Sequence, residues 1–261
     1  MPAFADHSVS SLTKALVVGD SGAGKTGLLA TLANGGYKLR IFDFDNGLDI
    51  LSSYLTPEGA KNVHFVTLQD DMSKTPTAWA EFKRILNSGW KIGDEDLGKV
   101  ESWGQEEVIV VDSMTFLGDA AKHFVAGTKN KHSHSQLELQ EWGEAARLTE
   151  NVIDYLTSDN IKCNLLVTSH LRYVEGEMGG IKAYPTCVGG KLPTTISRYF
   201  NTVMRADVLR GDKGRVLRTV SDHKMDLKNT APNILEIEQE FDLAKIFDAV
   251  QSNAKKLTAK K

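Results

Sequence analysis

The sequence has little that could staple, secrete or embed it. Its two cysteines, Cys163 and Cys187, cannot make a disulfide framework, and a reducing compartment fits. No apolar run approaches the roughly 18–20 residues needed to span a bilayer, so no membrane partner is expected. The opening MPAFADHSVSSLTK lacks the apolar stretch of a secretory signal, which leads to the expectation of a cytoplasmic setting. Excess positive charge is also missing. A formal net charge of −3 excludes a whole face coated by nucleic acid and leaves local loops for any such contact. No internal repeat or low-complexity tract interrupts the 261 residues, enough for one large domain.

What is present is an alternation of strand and helix patterns. Lys14 to Val18 is a short β-branched run entering a glycine-rich turn, and Thr26 to Ala33 continues with Leu28, Leu29 and Leu32 at helical spacing. Leu39 to Phe44, Asn62 to Leu68, Val108 to Val111 and Cys163 to Thr168 read as further strands. Helices are expected over Pro76 to Trp90, after Asp112, and in a longer segment ending near Asn160. Residues 91–106 read as a polar surface excursion. This order predicts an α/β fold, a mainly parallel sheet flanked by helices. Val203 to Leu209 and Val216 to Ser221 add a C-terminal antiparallel hairpin at the sheet edge. A short amphipathic helix is expected over Asp242 to Gln251. The expected organisation is an arm over residues 1–12, one domain over 13–251 and a basic, mobile tail over 252–261.

The glycine-rich turn carries the sharpest signal. Gly19-Asp20-Ser21-Gly22-Ala23-Gly24-Lys25-Thr26 matches G-x-x-x-x-G-K-[ST] between a strand and a helix, with Gly27 following. Its glycines let backbone N–H groups turn inward around phosphate oxygens, and the helix N-terminus adds its positive end. Lys25 would reach the β- and γ-phosphates, and the Thr26 hydroxyl would hold Mg²⁺. Asp112, at the tip of the apolar run Val108 to Val111, suits a second metal-side position. The pair implies ATP or another nucleoside triphosphate, with Mg²⁺. Asp43, Asp45 and Asp49 crowd the tip of the strand after the P-loop helix. Asp45, 20 residues beyond Lys25, is placed to polarise an attacking water. Asp43 and Asp49 suit turn-making and helix capping.

On these residues the chain resembles the RecA/RadA family of P-loop ATPases, and more narrowly the compact RecA-like single-strand annealing ATPases encoded by phages. The resemblance runs over about residues 12–240 and implies a RecA-like core. Asp45 stands where the family carries a catalytic Glu, one methylene longer. Leu165 to His170 ends where the family has a polar residue sensing the γ-phosphate, a role that passes to His170. The segment from Leu171 to Lys191, with its paired glycines, lies where the family has a flexible DNA-contacting loop; Gly127 to Gln136 matches another. Lys129, Lys131, Arg172, Lys182 and Lys191 would meet phosphates, and Tyr173 and Tyr184 would stack on bases. Lys228, with Lys224 as runner-up, matches cations that reach a neighbouring subunit's γ-phosphate. The resemblance thus implies single-stranded DNA and further copies of the chain as partners, in a ring or filament. Phe4 is followed directly by Ala5, whereas the family's subunit-tethering motif has alanine three positions on. Two other functions remain open from the residues alone, a P-loop phosphotransferase and a nucleotide-gated loader or packaging protein. His123, His132 and His134 complete no metal spacing and read as a solvated loop.

Overall fold

Lys14, at the start of the first strand, is buried, and its ammonium donates to the carbonyls of Leu156, Ile161 and Cys163 at 3.2, 3.0 and 2.9 Å. Burial lowers its pKa to about 8, and the three acceptors tie the end of a long helix to the sheet. The computed structural model describes residues 10–71, 74–131, 137–175, 179–209 and 214–259. Phe4 and Ala5, and His132 and His134 in the expected loop, lie outside the described residues.

Strand β1 (Lys14–Val18) leads through the P-loop into α1 (Lys25–Asn34), and β2 (Lys38–Asp43) follows. A 3-10 turn (Leu48–Ser53) and the short α2 (Pro57–Ala60) bring the chain to β3 (Val63–Thr67) and α3 (Ala78–Ser88). A small hairpin of β4 (Trp90–Ile92) and β5 (Glu95–Gly98) comes next, then β6 (Glu107–Asp112), α4 (Met114–Thr128), α5 (Leu139–Thr157) and β7 (Asn164–Ser169). A second hairpin, β8 (Leu171–Glu175) and β9 (Ile181–Pro185), precedes α6 (Leu192–Thr195). The chain closes with β10 (Thr202–Val208), β11 (Arg215–Arg218), β12 (Glu238–Glu240) and α7 (Leu243–Ala259).

The main sheet has eight strands in the order β12-β11-β10-β1-β7-β6-β2-β3. All pairings from β10 to β3 are parallel, while β11 and β12 join antiparallel at the C-terminal edge. This is the expected α/β architecture with its edge hairpin. Alternate residues of the central strands feed two cores. Leu16, Phe42, Val111 and Val167 pack on one face with α3, α4 and α5; Val17, Ile41, Val110 and Leu166 pack on the other with α1 and α7. Burial on both faces is why these runs are continuously apolar.

Three local expectations change. Residues 91–106 are not a plain excursion: β4 and β5 pair there, and Trp90, Val100 and Trp103 are buried. The many polar residues of the segment hid Val100 and Trp103, and Trp90 opens β4 where the end of a helix was expected. Leu171 to Lys191 is not simply a flexible loop, since β8 and β9 pair from Leu171↔Pro185 to Glu175↔Ile181. Its residues are mostly exposed on β8, so no burial pattern announced a strand. The last helix runs past Gln251 to Ala259 because buried Ala254 extends the stripe of Ile246, Phe247 and Val250. Among the described residues, no helix is long and apolar enough to cross a membrane.

Candidate functional site

Parallel pairing brings the tips of four strands to one edge. Val18 of β1 lies beside Ser169 of β7, and Asp43 of β2 lies beside Asp112 of β6. The loop from Gly19 to Gly24 begins at this edge, held by Gly19 N–H donating to the Ser169 carbonyl at 3.2 Å. Gly24, the residue before α1, has φ 90°, a left-handed conformation, and a Cβ there would come within 2.9 Å of the Arg215 side chain. Glycine is required on both counts.

Lys25 is buried, and its ammonium donates to the carbonyls of Gly19 and Asp20 at 2.8 and 2.9 Å. Burial lowers its pKa, against the pull of Asp112, Asp45 and Asp20. The Thr26 hydroxyl donates to Asp112 at 2.8 Å, and the buried Asp112 carboxylate also accepts from Thr168. A hydroxyl and a carboxylate facing each other beside the loop form a hard-oxygen pair that suits Mg²⁺.

Asp43 accepts from the backbone N–H of Asp45 at 3.2 Å, so it shapes the turn that presents Asp45. Asp45 lines the cavity above the P-loop, and its pKa rises to about 6. Burial is the main cause, followed by the carboxylates of Asp112 and Asp43, with Lys25 opposing. His170 lines the same cavity with its ring edge-on to Phe116 at 6.1 Å. Burial, and then the charge of Lys25, lower its pKa, so its neutral form prevails at pH 7.

The cavity, about 610 Å³, extends past the phosphate cradle along α1. Two side walls frame this extension. The Tyr54 ring lies over Gly27, where a Cβ would come within 3.1 Å of it, and Phe241 and Arg215 lie over Gly24. Asn34 fixes the first wall by donating to the Tyr54 carbonyl at 2.9 Å. Sequence reasoning missed Tyr54, Phe241 and Arg215. Tyr54 has no motif around it, and the other two reach the P-loop only through the pairing of β10, β11 and β12.

The residues expected to contact DNA are dispersed in role. Lys129, Arg172 and Lys191 are exposed. Lys131 pairs with Glu141 at 2.5 Å and Lys182 with Asp226 at 2.6 Å. The Tyr173 hydroxyl donates to the Asp20 carboxylate of the P-loop at 2.9 Å, and Tyr184 faces Arg172 across the hairpin. The Lys228 ammonium donates to the Phe200 carbonyl of its own chain at 2.7 Å, while Lys224 is exposed beside the hairpin. His123 sits against Asp70, Nδ1 to carboxylate 3.2 Å.

No curated protein matches the sequence. Among solved structures the chain is similar to a RadB recombinase, with 16% identity and a TM-score of 0.47, covering 84% of this chain and 83% of that one. It is also similar to the flagellar accessory protein FlaH of Methanocaldococcus jannaschii, with 12% identity, a TM-score of 0.39 and coverage of 87% and 83%. A third is an ATPase from the type III secretion system of pathogenic bacteria, with 11% identity, a TM-score of 0.40 and coverage of 75% and 52%. The family model of the AAA domain matches residues 12–231, most of the chain and all of the strands that build the phosphate edge. The protein belongs to the AAA domain family.

Proposed function

We propose that the protein is a Mg²⁺-dependent ATPase that binds single-stranded DNA and acts, as a homo-oligomer, in phage-type recombination, annealing or repair. One observation carries the enzymatic half: Lys25, Thr26 and Asp45 line a single cavity whose walls also include the rings of Tyr54 and Phe241. A triphosphate suits the cradle, and a flat base suits walls that include two rings.

This geometry supports the following roles for the chain's own groups. Lys25 leaves the carbonyls of Gly19 and Asp20 for the β- and γ-phosphates. Thr26 and Asp112 would hold Mg²⁺, which would supply charge neutralisation on the phosphates. Asp45 accepts the proton of the attacking water, a task suited to a carboxylate whose pKa is about 6. Neutral His170 donates to the γ-phosphate and reports its presence to β8, which begins one residue later. A cation from a neighbouring copy completes the site. Lys224, exposed and without a tie like that between Lys228 and Phe200, suits this reach better than Lys228.

The DNA-binding half is supported by exposed Arg172, Lys129 and Lys191 and by the mostly exposed strand β8. The test is phosphate release with and without single-stranded oligonucleotide, with particle size followed in the same sample. The expected outcome is DNA-stimulated hydrolysis by an assembly, with binding that weakens steeply as salt rises. A rate indifferent to saturating DNA would remove the DNA half. Transfer of phosphate to an acceptor would replace hydrolysis by phosphotransfer.

A further inference from the structure

The P-loop contains one ionisable acid, Asp20, at a place where a carboxylate is a hazard. Its backbone carbonyl accepts from Lys25 at 2.9 Å, and its carboxylate is among the charges that act on that ammonium. The positive field of Lys25 attracts a carboxylate. If Asp20 turned inward it would pair with Lys25 and oppose the phosphates, like charge against like. Yet Asp20 is exposed and does not line the phosphate cavity, whereas Ser21, Gly22 and Gly24 do.

Opposite the carboxylate stands Tyr173. The phenol donates to both carboxylate oxygens of Asp20, at 3.0 and 2.9 Å. Hydrogen bonds to a charged acceptor are the stronger kind, and a phenol adds no charge of its own to the site. The ring is carried on β8, paired to β9, so it is presented by a structured hairpin. That hairpin is anchored at its base by Thr186 N–H donating to the His170 carbonyl at 2.8 Å, and by Ala183 N–H donating to the Lys224 carbonyl at 2.7 Å.

We propose that Tyr173 is a positioning residue for nucleotide binding: by engaging the Asp20 carboxylate it keeps that charge off Lys25 and out of the phosphate cavity. The proposal rests on the nucleotide reading of the P-loop and deepens it. Its consequence is a penalty, when the phenol is removed, that scales with the negative charge of the ligand.

The experiment measures binding of Mg·ATP, Mg·ADP and AMP to the full chain carrying Tyr173→Phe, Asp20→Asn, or both. Tyr173→Phe removes only the hydroxyl, and thermal melting without ligand checks that the fold is kept. The expected result for Tyr173→Phe is ATP binding weakened by on the order of fivefold. ADP should be affected less and AMP hardly at all, and the loss should shrink at high salt. In the Asp20→Asn background, where no charge needs holding, Tyr173→Phe should have no further effect. An unchanged ATP affinity, an equal loss for all three nucleotides, or a loss that persists beside Asp20→Asn would each overturn the positioning role. Wild-type protein that binds no Mg·ATP would overturn the nucleotide reading itself and this proposal with it.

Discussion

In the P-loop, backbone geometry, a buried lysine and a hydroxyl–carboxylate pair are packed between strands whose side chains are inaccessible on both faces. In the β8–β9 hairpin the backbone is just as regular, but Tyr173, Val174 and Ile181 remain largely exposed. The two regions touch through Tyr173 and Asp20. The first is held by burial; the second is held mainly by ladder hydrogen bonds, with buried Ala183 and a few further hydrogen bonds as anchors. Hydrogen bonds alone contribute modestly because water competes for them, whereas buried apolar area contributes throughout. The rigid region suits chemistry that depends on fixed atoms; the lightly anchored one suits a surface that meets partners.

Substitutions can break this contrast at either end. The largest effect is expected for Lys25→Ala, which should abolish turnover, read as phosphate release. Near-normal hydrolysis in that variant would remove the P-loop from the chemistry. Asp45→Asn should keep nucleotide binding and slow hydrolysis by about a hundredfold, within the usual contribution of a positioned base. As the proposed base, the same residue should set a pH limb. Its working form is the ionised one, and its pKa is about 6, so the rate should be level above pH 7 and fall as the pH drops through 6. A pH–rate profile of wild type beside Asp45→Asn checks this, and an identical acid limb in the variant would assign the titration elsewhere.

The sheet and the hairpin can then be compared in stability. Phe42 is fully buried, edge-on to Phe82 at 4.8 Å, and Phe42→Ala should destabilise the fold by about 3–5 kcal/mol in denaturant unfolding. Ile181 is 58% exposed on β9, and Ile181→Ser should stay within about 0.5 kcal/mol. A large loss at Ile181 would mean that the hairpin is part of the cooperative core and would erase the distinction.

Much of the candidate site's edge was legible before the fold was known. The spacing from Gly19 to Thr26 between a strand and a helix names a phosphate cradle, because few other uses require those glycines beside that lysine. Asp112 was legible as the end of an apolar strand, and Asp45 as an acid just past another. The lateral walls were not. Phe241 lies more than 200 residues from Gly24 and meets it only through the edge strands. Tyr173 and Lys182 looked like free contacts for a nucleic acid strand, and the structure ties them to Asp20 and Asp226. No local pattern encodes such partners, since an exposed phenol or ammonium has the same sequence signature whether or not an acid stands opposite.

The sequence by itself determined the strands, the glycine turn and the acids at the strand tips, because backbone sterics and the burial period act over a few residues at a time. Only the tertiary structure decided that Tyr54, Arg215 and Phe241 would line the cavity beside the P-loop. It also decided that Lys228 would be tied to Phe200 and that a hairpin would lean on the P-loop. Those outcomes depend on which charged and polar groups meet across the fold, and a Coulomb or hydrogen-bond energy is set by distance in space and not along the chain.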